Sequence, residues 1–521
     1  MKLRGLARAA LTVVMPAALA LAMPGGARGR TPESTLKGAD ALVKVYEHIL
    51  DARFDQVNAE MARACRVAPR EACDVLAATA TWWRILLDPD SRALDRQFLT
   101  EADQAIRTTE AWTVREPQNA EAHFYAGAAY AARVQWRVLR DEQLAAARDG
   151  KRIKQALERA ITLDPDLDDA YFGLGLYQYY ADVAPAAAKV LRFLLMLPGG
   201  DKVEGMARMK RARAQGQLLQ GEADYQLHIL YLWYEQRADL AIDLLESLRD
   251  RYPGNPLFAA QLADVQDRYQ HDTTASLASW RALLAAARAR RVHEAELAEA
   301  QARLGIARQL EALSQTDHAL EQLRAVLDAQ PAKPAGTMAA AYLALGEGQD
   351  RLGHHDAAVA AYRLAITASP VPDPHAIRQR AADRMKQRGP DPARADAYRM
   401  SLEGLRRFEK GDIAGAEALL ARSLLLDPKD GVARYRHGRV LQAKNDDAAA
   451  IASFEAAIRS ARECPPSIVA AAYLEAARLH ERLARKAQAI DYYRAASTLF
   501  GGGADTRAAA NRALLRLRAA K

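Results

Sequence analysis

The feature that most constrains this chain is a repeat distance. Gly404, Ala416 and Leu420 recur 34 residues later as Gly438, Ala450 and Phe454. In "AAYLALGEGQDRLGHHDAAVAAYRLAITASP", Tyr342, Leu345, Gly346, Gly353, Ala358, Tyr362, Ala365 and Pro370 hold corresponding places. Gly346 and Ala358 are small, so two antiparallel helices can approach closely. Tyr342, Leu345 and Tyr362 fill the space between them, Gly353 permits the turn, and Pro370 stops the second helix. A fixed period of this length describes a stack of similar helix pairs, each burying its apolar face only against its neighbours.

Further units keep the metre. Gly404, Gly411, Ala416, Leu420 and Pro428 mark one, and Gly438, Ala450, Phe454 and Ala457 the next. Tyr473, Ala489, Tyr493 and Ala496 follow after "ECPPS". Upstream, Gln301, Leu304, Gly305, Ala319, Leu323 and Pro331 fit with two extra residues in the turn. Around Gly127, Tyr130, Leu157, Ala160 and Pro165 a longer insertion separates the helices. These landmarks closely resemble the tetratricopeptide repeat, over most of residues 118–500 and most tightly over 337–500. The resemblance implies an all-α fold, an α-solenoid of antiparallel helix pairs with an irregular N-terminal half and regular C-terminal repeats. It also implies a non-enzymatic scaffold without a cofactor, which binds protein or peptide segments along a concave groove lined by the first helix of each unit.

The stretch "AYFGLGLYQYYADVAPAAAKVLRFLLMLPGGD" (170–201) looks like an interruption, yet it fits the metre. Tyr171, Leu174 and Gly175 take first-helix positions, and Ala187, Leu191 and Leu194 second-helix ones. The expectation is a full unit whose second helix, Pro185 to Leu197, is apolar on nearly every side and therefore buried. The three helical segments after it, where pairs are expected, leave the phase between 202 and 290 open. By the family's pattern, the groove positions of the Gly175 unit are Asp169, Phe172, Leu176, Tyr179 and Tyr180. If Pro253 sets the phase of a later unit, Trp233 and Tyr234 take the places of Tyr179 and Tyr180. Paired aromatics there suit an extended peptide or a sugar chain, with ordinary interhelical packing as the alternative. In the C-terminal array the equivalents Tyr435, Arg439 and Gln442 suit a carboxylate or acidic peptide, with a solvated face as the alternative.

The leader "MKLRGLARAALTVVMPAALALAMPGGARG" has a basic start (Lys2, Arg4, Arg8), an apolar run from Ala9 to Met23, and small residues at Ala20, Ala22 and Ala27. It reads as a signal peptide over 1–27 of an exported, soluble, periplasmic bacterial protein, with a retained signal anchor as the alternative. Cys65 and Cys73, eight positions apart, can close a disulfide in an oxidising compartment or remain two thiols, and Cys464 has no obvious partner. The net charge of +8 falls to +5 without Lys2, Arg4 and Arg8. Basic stretches at 208–216 and 377–388 carry no interleaved aromatics, so they read as solvated helix faces and exclude a nucleic-acid platform.

Domain organisation follows from composition. Residues 28–117 form an N-terminal helical region, and 118–290 an irregular region rich in Trp and Tyr. Units fill 291–372, and a Pro-rich, charged hinge spans 373–396. The C-terminal array runs over 397–500, and 501–521 form a basic amphipathic helix that caps the stack, membrane-surface contact being its minor alternative. No enzyme signature stands out. His293 lacks a second histidine four residues on, and the glycines of "GLGLY" and "PGGD" follow no strand. His271, Asp272 and Ser276 read as a helix-capping cluster, and Asp201 as an N-cap. The expectation is an adaptor of the cell envelope. Its alternatives are a regulatory or substrate-recruiting subunit of an envelope enzyme or export machine, and an enzyme with an unrecognised site in the Trp-rich half.

Overall fold

A computed structural model describes residues 36–184 and 199–519. Among the described residues there are twenty-four helices and no strand. Two antiparallel pairs open the chain, Ala39–Leu50 with Phe54–Ala64 and Arg70–Ile85 with Asp95–Arg115. The next five are Ala120–Leu139 with Gln143–Leu163, Ala170–Val183 with Lys202–Gln215, Gln220–Trp233 with Ala238–Arg251, Pro256–Arg268 with Thr273–Arg288, and Ala295–Ala312 with Thr316–Ala329. Four more follow: Thr337–Arg351 with His355–Ala368, Pro392–Glu409 with Ile413–Leu426, Gly431–Ala443 with Asp447–Arg459, and Pro466–Arg482 with Lys486–Thr498. Helix Ile377–Met385 lies alone inside the stretch expected as a hinge, burying Ile377 and Ala381 against the Tyr362 side of His355–Ala368. The last helix, Ala504–Ala519, buries Ala510, Ala513 and Leu514 against the final pair.

The pairs close because a glycine on one helix sits under a large side chain of the other. A Cβ at Gly346 would stand 2.4 Å from Tyr362 Cε1, and one at Gly438 2.6 Å from Phe454 Cε1. Gly404 faces Leu420, and Gly127 faces Leu157, in the same way. Gly305 differs. Its nearest neighbour is Trp280 of the preceding pair, 2.3 Å from a built Cβ, so this glycine joins two units rather than one. Asp and Asn side chains start many of the helices: Asn119, Asp201, Asn255, Asp272, Asp391, Asp412, Asp430 and Asp446 each accept from a backbone N–H two or three residues on.

Among the described residues helix Ala170–Val183 takes Lys202–Gln215 as its partner, a helix that the expected unit of 170–201 does not include. The two backbones cross where Gly175 and Gly205 meet, each built Cβ falling 2.6 Å from the other's carbonyl oxygen. The apolar segment Pro185 to Leu197 lies outside the described residues, as does the 1–27 leader. With Lys202–Gln215 paired backwards, the following helices fall into step and the phase between 202 and 290 needs no extra helix.

The N-terminal pairs fold back onto the solenoid. Gly254 N donates to Asp51 Oδ1 at 2.7 Å, Asn255 Nδ2 to the Leu50 carbonyl at 2.8 Å, and Phe54 meets His293 edge to face at 5.0 Å. Further on, Ala335 N donates to Asp88 Oδ1 (3.1 Å), and His375 Nε2 lies 3.0 Å from Asp90 Oδ2. A disulfide joins Cys65 to Cys73 across the bend between two of these helices.

The repeats from Pro256 onward curl until their ends touch. Asp272 Oδ1 accepts from Ala275 N at 3.0 Å, capping helix Thr273–Arg288. Its other oxygen accepts from Ala504 N at 2.5 Å, at the start of the last helix. Beside it the His271 and Phe500 rings lie 4.9 Å apart. The capping role read for Asp272 therefore extends to a second helix 232 positions away.

Two outcomes follow from these contacts. Tyr362 cannot move aside freely, because its hydroxyl donates to Asp350 Oδ2 at 2.8 Å. Gly346→Ala is therefore expected to cost about 1–3 kcal/mol in urea unfolding, although alanine is the better helix former. Asp272→Ala removes a cap worth about 1 kcal/mol at each of two helices. It is expected to speed proteolytic cleavage around exposed Phe500, and unchanged cleavage would show that the closure is not held there.

Candidate functional site

An open cleft of about 880 Å³ lies on the inner side of the curled repeats. Three first helices supply its floor: Pro256–Arg268 gives Leu257 and Ala260, Ala295–Ala312 gives Leu304, Gly305 and Arg308, and Thr337–Arg351 gives Ala340, Ala344 and Glu347. Small residues at Ala260, Ala340 and Ala344 leave the space open. The N-terminal turn Leu86, Leu87 and Pro89 forms the facing wall, held over the cleft by the Asp88 and Asp90 contacts. Helix Ile377–Met385 and the residues after it add Arg380, Arg384 and Arg388.

Charge on the cleft wall is largely paired. Arg308 bridges to Asp264 at 2.6 Å and Asp267 at 3.2 Å, Arg351 to Glu311 at 2.9 Å, and Arg384 to Glu347 at 3.2 Å. Asp350 accepts from Tyr362, with His355 Nδ1 2.7 Å away. Four groups are left over. Gln261 Oε1 is buried without a donor. Exposed Arg388 has no ion pair with any described residue. Trp280 is 4% exposed, and its Nε1–H has no acceptor. Glu311 Oε1 is buried without a donor, while Oε2 accepts from Thr316 Oγ1 at 3.0 Å. Burial raises the Glu311 carboxyl above the usual range, and Arg351 opposes that shift. An unmatched donor, two unmatched acceptors and a free cation in one apolar-floored cleft suit a ligand that carries both hydrogen-bonding senses.

Sequence reasoning did not find this site. Its signal was the i, i+4, i+8 spacing of Arg380, Arg384 and Arg388, read as a solvated face. Only tertiary structure brings Trp280 and the Leu86–Pro89 turn beside it.

The residues singled out from sequence are placed differently. Phe172 and Tyr179 are buried, which corrects their assignment to an open groove: Met209, Ala212, Ala223, Leu227 and Leu230 of the next helices cover them. Asp169 is buried too, and its carboxylate accepts from the N–H groups of Gln217, Leu218 and Leu219 at 2.8–3.0 Å, ordering the turn before helix Gln220–Trp233. Tyr180 is half-buried, and its ring lies 5.6 Å from Tyr234, which is itself 5.8 Å from Tyr179. Tyr179 donates its hydroxyl to Glu235 Oε1 at 2.5 Å, and burial beside that carboxylate raises its pKa. Trp233 and Tyr234 are exposed. In the C-terminal array Tyr435 is half-buried against Phe454 at 5.8 Å, exposed Arg439 lies 5.5 Å from the Phe408 ring centre, and Gln442 donates to Glu475. Tyr435, Arg439 and Gln442 do not line the cleft.

Comparison with known proteins identifies two of the repeats. The tetratricopeptide repeat family model matches residues 339–372 and 432–464, each spanning one helix pair. The chain contains tetratricopeptide repeats. Solved structures similar to it include a tetratricopeptide repeat protein from Parabacteroides merdae, at 16% identity over 57% of this chain and 98% of that one, with a TM-score of 0.24. The TPR2AB domain of yeast Sti1 in complex with pHSP90 is similar at 15% identity over 57% and 96% of the two chains, with a TM-score of 0.22. A human IFIT1 dimer with m7Gppp-AAAA is similar at 13% identity over 81% and 94%, with a TM-score of 0.33. No curated protein matches the chain. The tetratricopeptide repeats make this chain a scaffold for binding protein or peptide partners. Among the described residues no group of His, Cys, Asp and Glu could hold a metal ion, and no helix is long and apolar enough to cross a membrane.

The Glu311 carboxyl gives the cleft a pH signature. A carboxyl with a raised folded pKa binds more protons folded than unfolded. Stability therefore falls as pH rises from the ordinary glutamate range through the folded value. Glu311→Gln removes that slope, so the melting temperatures of wild type and variant should converge at low pH, with the variant gaining as pH rises. Parallel profiles would mean that Glu311 titrates normally.

Proposed function

We propose that this protein is a non-enzymatic adaptor of the bacterial cell envelope that holds an extended segment of a partner protein in the 880 Å³ cleft. The observation that carries this reading is three of the unmatched groups on the cleft wall: Trp280 Nε1–H, Glu311 Oε1 and the guanidinium of Arg388. An extended peptide backbone offers a carbonyl to the first and an N–H to the second, and an acidic side chain or terminus satisfies the third. The apolar floor of Leu257, Leu304 and the small residues around them supplies contact area without favouring one side chain. Export to an oxidising compartment is supported by the Cys65–Cys73 disulfide, together with the basic and apolar leader read from the sequence.

Crosslinking pull-down from envelope extract, with the full chain as bait, tests the reading. Leu304→Glu with Arg388→Glu places two carboxylates in the cleft without touching the Gly346 or Gly438 contacts. The double variant is expected to lose at least about tenfold of the partner recovered by wild type. Equal recovery by both baits, with folding intact by circular dichroism, would place the partner elsewhere.

A further inference from the structure

A second surface, separate from the cleft, carries three exposed aromatic rings, Trp233, Tyr234 and Tyr269. Helices Gln220–Trp233 and Pro256–Arg268 end identically. The N–H groups of Tyr234 and Glu235 both donate to Leu230 O, and those of Tyr269 and Gln270 both donate to Val265 O. Gln236 (φ 52°) and His271 (φ 53°) then turn the chain through the left-handed region. Tyr234 and Tyr269 are thus the same residue of two consecutive repeats, 41% and 42% exposed. Trp233, 62% exposed, lines an open depression of about 600 Å³ together with Tyr269, Gln236 and Ala238. On the far flank Tyr234 is held edge to face by Tyr179 and Tyr180, so its ring is already fixed.

The size and chemistry of this surface choose its occupant. With full aromatic areas of about 200–250 Å², the exposed parts of the three rings total roughly 300 Å². A stable protein–protein contact needs about 800 Å² from each partner. The exposed apolar groups here are flat ring faces, since the aliphatic neighbour Leu232 is buried. Around them stand groups that both donate and accept. Gln236 offers an exposed carboxamide, and Arg237 and Asp239 form an exposed bidentate pair at 2.9 and 2.7 Å. That pairing leaves the guanidinium and the carboxylate with no net charge to attract an ionic polymer. Flat apolar faces edged by neutral hydrogen-bonding groups match a pyranose, whose axial C–H bonds form an apolar face and whose hydroxyls point outward at the edge. Two faces one repeat apart match a chain of such rings rather than a single sugar.

We propose that the Trp233–Tyr269 depression binds a neutral saccharide chain, with sugar rings lying on the two aromatic faces. The fold supplies a clean probe. The other five tryptophans, at 82, 83, 112, 136 and 280, are all at most 6% exposed, so iodide quenching of fluorescence reports on Trp233. The full chain is titrated with cellohexaose and with chitohexaose up to about 10 mM, because affinity built from two ring faces falls near the millimolar range. The expected result is saturable protection from iodide by at least one of them, weakened about tenfold by Tyr269→Ala. Mass spectrometry of the same mixtures should show loss of binding in Trp233→Ala, where the fluorescent reporter is gone. No protection by either sugar overturns the proposal. So does protection that Tyr269→Ala leaves unchanged in a folded protein, or protection that rises with protein concentration instead, which would mark the patch as a self-association face. Failure here leaves the cleft pull-down result untouched, since none of these residues lines the cleft.

Discussion

The close approach of paired helices over a missing side chain is the constraint on which the rest of this molecule depends. Glycine in a helix interior costs about 1 kcal/mol relative to alanine. At Gly346, Gly404 and Gly438 that cost is offset by seating Tyr362, Leu420 and Phe454 directly against the neighbouring backbone. Each of those large residues is itself fully buried. The spacing between helices, and so the curvature of the stack, is set by how deep these side chains sit. Where the rule changes, the architecture changes with it. Gly305 under Trp280 ties one pair to the previous one at the floor of the cleft, and Gly175 against Gly205 brings two backbones into contact.

The repeat was legible in the sequence wherever landmark residues stayed at a constant offset. From residue 337 onward the helix pairs fall where the glycines, alanines and prolines place them. Around 170–215 the same counting did not point to Lys202–Gln215, which packs against Ala170–Val183 and lies beyond the stretch that keeps the arithmetic. Composition held the missed clue: Gly205, alone in a polar helix, is what a backbone crossing requires. Phe172 and Tyr179 fit a groove pattern that presumes open first helices, and the pairs here curl tightly enough for the next unit to cover them. The cleft was illegible for a different reason. Leu86 lines the same cleft as Trp280 and Arg384 only because the N-terminal pairs fold back, and that placement rests on hydrogen bonds such as Ala335 to Asp88 that leave no periodic trace.

Electrostatics divides the inner surface into parts that are finished and parts that are not. Arg308, Arg351 and Arg384 each meet a carboxylate, and such half-exposed pairs contribute little stability, about 0–1 kcal/mol, while fixing where the long side chains lie. Against that ordered background, the unmatched atoms of Trp280 and Glu311 mark where solvent or a ligand must complete the pattern. Elsewhere one buried carboxyl is fully engaged. Fully buried Glu222 accepts from both Tyr46 and Trp83, joining three helices of the N-terminal half around one carboxyl.

Asp272 holds the start of one helix and, through its second oxygen, the start of the last. An open stack of repeats has two ends that fray independently, and its stability is close to a sum over neighbours. Joining the ends turns that linear sum into a cycle, in which losing any one interface strains the others. The position of the chain break in such a cycle becomes arbitrary. Residues 256–519 thus form a body that a circular permutant could enter through a different opening, with the inner curvature intact and Asp272 as its seam.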